Sequence, residues 1–345
     1  MTARPIRATY RLQFHRDFPL ARATALVRYL DRLGVSHIHS SPLLRARPGS
    51  THGYDVVDPT RLNPEIGTDD DLHDLIRALH RRRMGLLLDI VPNHMAAAPE
   101  NAAWEDVLRH GAASPFARWF DIDWRSDEPA RWSRIVLPVL GERRARLLER
   151  DEISLRYDAA RGEWRVVYGD HSYPVDPATL GLVYGWLREV ALEQGIAPDV
   201  IRRLERAASE LRRVPRQTDA SPAALAVRRD TGERVAREIA PLWRGSGPLT
   251  GLFRDAVARF HRGDAGRIRI RRLLDAQPYR MVHWRRAARE LNYRRFFDVN
   301  DLVALRMEDP EVFQRIHALV LNWTWLGWLD GFRIDHLDGL LDPAA

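Results

Sequence analysis

The 345 residues contain no cysteine and no lysine. The missing thiols exclude disulfides, thiolate nucleophiles and cysteine metal centres together. No apolar run reaches the roughly 20 residues of a membrane-spanning helix. The N-terminal MTARPIRATYRLQF lacks the charged, apolar and small-residue succession of a secretory signal, so a cytoplasmic location without a membrane partner is expected. All 54 basic residues are arginine, and against 47 acids they leave a formal charge of +7. Arginine and acid are mixed along most of the chain, the pattern of solvated helix faces and not of a phosphate-tracking stripe. A nucleic-acid partner is therefore not expected. With 45% hydrophobic residues, the chain can bury a substantial core, and its length exceeds what one compact domain usually needs.

The first part alternates strand and helix signals. IRATYRLQF (6–14) reads as a strand and LARATALVRYLDRL (20–33) as an amphipathic helix stopped by Gly34. VSHIHSSPLL (35–44) is strand-like, with a turn at Ser41 and Pro42. The spacing predicts a helix over 68–83, with Thr68 as its N-cap, acids in the first turn and Arg81, Arg82 and Arg83 at its end, as the helix dipole favours. MGLLLDIVPNH (84–94) is a short apolar run closed by Pro92, a buried strand by length and flanks. Strands alternating with helices argue for a parallel sheet. The rhythm breaks over 95–305, which is rich in Arg and Glu and mostly helical, with a short strand pair expected in 164–175. It returns at 309–328, a helix with Asp309 as cap and Pro310 at its first position, followed by LDGFRIDH (329–336) as a buried strand. The fold class is thus α/β, a (β/α)8 TIM-type barrel of which the chain covers about the first four strand-helix units. A large, mostly helical insertion stands between strands three and four. The expected divisions are 1–94 for strands one to three, 95–305 for the insertion and 306–345 for the barrel's continuation.

A parallel barrel places its chemistry at the C-terminal ends of its strands. Three segments put polar groups there: HGYDVVDP (52–59), DIVPNH (89–94) and GFRIDH (331–336). Asp335 follows Phe332 and Ile334 on an otherwise apolar strand, where an acid is unfavourable to bury unless paired. Arg333, two residues earlier, points to the same side and is suited to hold that carboxylate ionised and oriented, as a glycosyl nucleophile requires. A structural Arg-Asp pair at a strand end is the competing account. Asp89 interrupts its apolar strand in the same way, while Asn93 and His94 offer neutral hydrogen bonds suited to sugar hydroxyls. Tyr54 has the shape to stack on a sugar ring. Residue by residue, the plainer readings are a helix-capping Asn93, a satisfied loop His94 and a half-buried Tyr54.

The DIVPNH and GFRIDH segments resemble conserved blocks of the α-amylase superfamily, glycoside hydrolase family 13, and HGYDVVDP resembles the loop that lines the sugar subsite beside the cleaved bond. The longer segments YRLQF, SSPLLRARPGSTHGYDVVDPTRLNPEIG and ELNYRRFFDVNDLVALR are similar to maltooligosyl trehalose synthases, whose large insertion before strand four also fits. The resemblance covers nearly the whole chain. It implies an intramolecular transglucosylation in which Asp335 is the catalytic nucleophile and Arg333 holds it. Tyr54, Asn93 and His94 bind the sugar, and Asp89 pairs with Arg333 or orients its neighbours. His52, Asp55 and His336 complete the binding candidates, and NYRRFF (292–297) is expected to face substrate or to pack the insertion. The implied partners are a maltooligosaccharide or α-1,4-glucan substrate and, in the pathway, a maltooligosyl trehalose trehalohydrolase. No cofactor and no metal is implied.

The same resemblance implies a glutamate acid/base after strand five and an aspartate after strand seven, and neither strand is found. Glu308 and Asp338 are nearby acids that fit no such block. The chain is therefore expected to be a fragment, inactive by itself. An ordinary α-glucan hydrolase or transglycosylase of the superfamily is the alternative, with a non-catalytic glycan-binding remnant behind it. Of the eleven tryptophans, Trp323, Trp325 and Trp328 share one predicted helix and cannot all line a sugar site.

Overall fold

A computed structural model of the chain describes residues 5–125, 134–219, 221–244 and 248–344. In chain order it begins β1 (Thr9–Leu12), α1 (Leu20–Arg32), β2 (His37–Ser40), β3 (Leu44–Ala46), β4 (Val56–Leu62), α2 (Asp69–Arg81), β5 (Gly85–Ile90) and β6 (His94–Ala96). There follow α3 (Ala102–His110), β7 (Ile135–Leu140), α4 (Arg144–Glu149), β8 (Ile153–Asp158), β9 (Glu163–Tyr168) and β10 (His171–Pro174). Six helices come next: α5 (Leu180–Glu193), α6 (Pro198–Leu211), α7 (Pro222–Ile239), α8 (Pro241–Arg244), α9 (Pro248–Phe260) and α10 (Gly263–Asp275). The chain closes with β11 (Tyr279–His283), α11 (Ala287–Glu290), β12 (Leu302–Ala304), α12 (Pro310–Trp325) and β13 (Gly331–Ile334).

These elements form two compact units. The first comprises Met1–Ala102, Arg118–Asp121 and Arg294–Ala345, and the second Ala103–Ala117 and Ile122–Tyr293. The first unit therefore includes 95–102 and 294–305, which sequence reading placed with the insertion. The reason is a hydrogen-bonded ladder: β12 pairs antiparallel with β6, Val303 opposite Met95.

The first unit is built on a four-stranded sheet in the order β1-β2-β5-β13. Every pairing in it is parallel, and the strands lie side by side in the order in which they occur along the chain. Register sets which side chains share a face. Arg11 lies opposite His39, and Arg333 opposite Asp89. Because faces alternate with period two, Arg11, His39, Asp89 and Arg333 belong to one face, and Ile38, Leu86 and Leu88 to the other. The latter three are essentially fully buried.

Helix α2 shows why this region folds locally as it does. Thr68 and Asp71 form a reciprocal capping box, and Asp69, Asp70 and Asp71 occupy the first turn. Leu72, Leu75, Ile76 and Leu79 fall on its buried face, each contributing about 1.5–3 kcal/mol of transfer free energy. Arg82 caps the helix and Arg83 turns left-handed (φ 56°), ending it two residues short of the sequence expectation. In α12, Asp309 caps as expected with Pro310 in the first turn, and Val312, Ile316, Val320 and Trp323 are buried.

One expectation fails. Residues 329–336 read as a buried strand, yet β13 is open: Phe332 is 37% and Ile334 43% exposed. The strand lies at the sheet's edge, with β5 its only neighbour in the sheet among the described residues, so its outward apolar residues have little to pack against. β1, the opposite edge, shows the same effect at Tyr10, 46% exposed.

The second unit contains a three-stranded antiparallel sheet, β10-β9-β8, and a parallel pair, β7 with β11. The strand pair expected in 164–175 is β9 and β10, joined with His171 opposite Tyr168. Two buried ion pairs brace this unit: Arg228 with Asp176 at 2.9 Å, and Arg165 with Glu105 at 2.5 Å. Burial pushes the Glu105 carboxyl up, against the pull of its hydrogen bonds from Arg165. Among the described residues, no helix is long and apolar enough to cross a membrane.

Candidate active site

The site forms on the face of the sheet that carries Arg11, His39, Asp89 and Arg333, at the C-terminal ends of β5 and β13. Asp89 is its centre. Its side chain has no exposed surface, and its oxygens accept from three partners. Tyr54 Oη donates at 2.5 Å, Arg11 Nη1 at 3.1 Å, and Arg333 Nη1 at 3.0 Å. Arg11 Nη2 also donates to Tyr54 Oη at 2.8 Å, and Arg11 Nη1 lies 3.0 Å from His39 Nε2. Residues from three separate segments thus converge on one carboxylate.

Arg333 has a second partner. The same Nη1 lies 2.5 Å from Asp335 Oδ1, the two side chains sharing a side as their spacing requires. The hydrogen bonds to Asp89, first, and to Asp335 raise the Arg333 guanidinium above its usual range. Asp335 has just left the strand. Its N–H still continues the ladder to the Ile90 carbonyl at 2.9 Å, while its side chain keeps 16% of its surface open. The next residue, His336, sits in the left-handed region at φ 52°. A non-glycine residue there stores strain, a feature that clusters at functional sites.

His94 occupies the loop end after β5. It is buried at 1% exposure and packs on Phe296, ring centroids 4.4 Å apart. Burial holds its imidazole down to about 4, against the opposing pull of Asp335 and the Tyr54 main chain. It is therefore neutral at pH 7, able to donate from one ring nitrogen and accept at the other. Phe296 also packs edge-on against His336 at 4.7 Å. Burial raises the Tyr54 hydroxyl above its usual range, and the hydrogen bond to Asp89 adds to that. Gly53 makes the Tyr54 loop possible: its φ is +80°, and a Cβ there would lie 2.8 Å from the Pro42 carbonyl oxygen.

Tyr54, Asp89, His94, Arg333, Asp335 and His336 are brought together. Asn93 is fully buried and spends its Nδ2 on the Gly339 carbonyl at 2.8 Å, leaving Oδ1 without a partner among the described residues. It ties down the loop that follows His336. His52 and Asp55 serve their own loop: His52 Nδ1 accepts from Tyr54 N at 3.1 Å, and Asp55 accepts from Ser50 Oγ at 2.5 Å. The NYRRFF segment straddles the two units. Arg294 donates to the carbonyls of Gly339 and Leu305 and to Asp121, whereas Asn292 belongs to the second unit and donates to the Asp123 and Arg134 carbonyls. Sequence reading missed Arg11 and His39, and reached Phe296 only as one of the six residues of NYRRFF. The signal for Arg11 was a charge within the YRLQF strand, but its partner lies 78 residues away.

A second carboxyl free to exchange a proton with a substrate is not found among the described residues of this site. Asp89 is enclosed. Glu308 pairs with Arg306 at 3.7 Å, and Asp338, 88% exposed, faces His336 at 3.4 Å. Nor do the described residues hold a group of three or more His, Asp or Glu able to bind a metal ion.

The family described as "Alpha amylase, catalytic domain" matches residues 23–137, the stretch that contains Tyr54, Asp89, Asn93 and His94. A Mycobacterium tuberculosis (strain H37Rv) protein assigned provisionally as a maltooligosyl trehalose synthase is 35% identical over 348 residues, which cover 99% of this chain and 32% of that protein. Over residues 23–137 the chain is similar to the catalytic domain of α-amylases. It spans about a third of the length of the curated relatives that it matches from end to end. The solved maltooligosyltrehalose synthase from Arthrobacter ramosus superposes with a TM-score of 0.65 at 33% identity, over 98% of this chain and 32% of that one. A second solved maltooligosyl trehalose synthase gives 0.64 at 28% identity, over 98% and 33%. The fold is accordingly TIM-barrel-like.

Proposed function

We propose that the chain is the N-terminal part of a maltooligosyl trehalose synthase. The observation that carries this reading is Asp335, held by Arg333 beside the enclosed Asp89–Tyr54–Arg11 cluster at the strand ends. The end-to-end similarity to maltooligosyl trehalose synthases supports it. The four parallel strands are the first half of an eight-stranded barrel, and the second unit is an insertion between strands three and four.

The reaction follows from the groups present. A maltooligosaccharide binds with its reducing-end glucose beyond the cleaved α-1,4 bond and its penultimate sugar against Tyr54 and His94. Asp335 attacks the anomeric carbon of that penultimate sugar. The glycosidic bond breaks, its oxygen takes a proton from an acid, and the oligosaccharide remains as an ester on Asp335. Arg333 fixes the carboxylate in line, and Asp89 fixes Arg333. The freed glucose then turns, and its own anomeric hydroxyl attacks the ester, returning its proton to the same group. Two inversions give net retention and an α,α-1,1 link. The acid needs a second carboxyl about 5 Å from the nucleophile. Asp89 is closed off and Glu308 and Asp338 are misplaced, so we assign that role to a residue outside this chain, and the 345 residues by themselves are inactive. The protein works in the cytoplasm, upstream of a maltooligosyl trehalose trehalohydrolase.

The test uses the protein carrying the remaining barrel strands, with maltopentaose as substrate. Reducing ends should disappear without new ones forming, and Asp335→Asn should abolish this. New reducing ends would instead mark the hydrolase of the same superfamily. Turnover by the 345-residue chain alone would sink the assignment of the acid.

A further inference from the structure

A cavity of about 650 Å³ lies within the second unit, between β8 and α9. Its volume falls inside the roughly 300–1,000 Å³ of small-molecule sites. Three of its lining residues carry a buried polar atom without a hydrogen-bond partner among the described residues: Trp243 Nε1, His261 Nδ1 and Asp151 Oδ1. Trp243 is 4% and His261 8% exposed. An unsatisfied buried donor or acceptor costs about 1–3 kcal/mol, so three around one cavity call for an occupant that satisfies them. Backbone strain adds to this, since Asp151 is held left-handed at φ 55°.

The lining fixes the chemistry of that occupant. An indole N–H only donates, and a carboxylate oxygen only accepts. A hydroxyl meets both demands with one oxygen. A phosphate dianion would accept from the Trp243 N–H but bring no proton to Asp151 Oδ1, and a metal cation would leave the Trp243 N–H without an acceptor. Burial lowers the His261 imidazole, leaving a neutral ring that suits either role. Apolar walls come from Leu155 and Val257, and Tyr157 stacks on Trp243 at 4.7 Å and 22°.

We propose that this cavity is a binding site for a neutral polyhydroxylated ligand of sugar size, separate from the candidate active site. It does not depend on the proposed reaction. The test follows the indole N–H resonance of Trp243, assigned by its absence in Trp243→Phe, while maltose is titrated into the chain. The expected result is a saturable shift of that resonance. Binding should weaken about tenfold in Asp151→Ala, the loss of one good hydrogen bond, and similarly in Trp243→Phe when followed through other shifted resonances. The response should persist in Tyr54→Ala and Arg333→Ala, which alter the other site. Absence of any shift would mean that water alone fills the cavity and would overturn the proposal, as would a response to inorganic phosphate in place of maltose. Equal affinity in all variants would also overturn it. If a variant does not fold, by near-ultraviolet circular dichroism, the wild-type titrations with the two probes still decide.

Discussion

Replacing Asp89 with alanine is the sharpest perturbation of the first unit. The carboxylate has no exposed surface, and it accepts from Tyr54, Arg11 and Arg333 at 2.5, 3.1 and 3.0 Å. Hydrogen bonds to a charged group contribute about 1.5–3 kcal/mol each when both partners are buried. Here the two arginine side chains are 36% and 48% exposed and regain water when the carboxylate goes, so each pair is discounted to about 0–1 kcal/mol. The Tyr54 hydroxyl loses about 1 kcal/mol, and a buried void with two arginines no longer screened from each other adds a similar amount. The expected destabilisation is about 2–4 kcal/mol for Asp89→Ala, and roughly half of that for Asp89→Asn, which keeps the volume and one acceptor. Arg333→Ala leaves Asp89 with Arg11 and Tyr54 and should cost under about 1 kcal/mol. Urea unfolding of the chain at pH 7 measures all three, provided that the slope with denaturant is unchanged. A loss in Arg333→Ala that exceeds the loss in Asp89→Ala would refute the view that Asp89 is the anchor and Arg333 its dependant.

Three further outcomes are expected. The folded His94 titrates at about 4, below its unfolded value of about 6.5. Between these values the unfolded chain binds more protons, so its stabilising contribution is present above about 6.5 and lost as pH falls towards 4. His94→Asn should therefore lose less stability than wild type between pH 7 and pH 4.5, and an unchanged slope would contradict the burial argument. Thr68→Ala removes half of the capping box and should cost about 1 kcal/mol in the same urea assay. Arg165→Met takes the nearest cation from Glu105 and leaves it Arg161 at 3.8 Å; a loss of about 3 kcal/mol, the low end for a broken buried pair, is expected, and a neutral effect would show that the pair is not buried as described.

Much of the first unit was legible in the sequence because its signals are local. Periodicity, Thr68 and Asp309 as caps, and the proline-closed run at 84–94 each act within a few residues, so they mark elements wherever the chain goes afterwards. The spacing of Arg333 and Asp335 likewise determined that both side chains share one side of a strand, and the fold could only bring a partner to them. What tertiary structure decided was every pairing across long separations. That Asp89 is enclosed by Arg11 and Tyr54, that Asn93 is spent on the Gly339 carbonyl, and that β6 and β12 draw 95–102 and 294–305 into the first unit all depend on strand register, which no window of neighbouring residues encodes. The exposure of β13 is decided in the same way: Phe332 and Ile334 are apolar by sequence, but whether they are buried depends on which strand lies beside them.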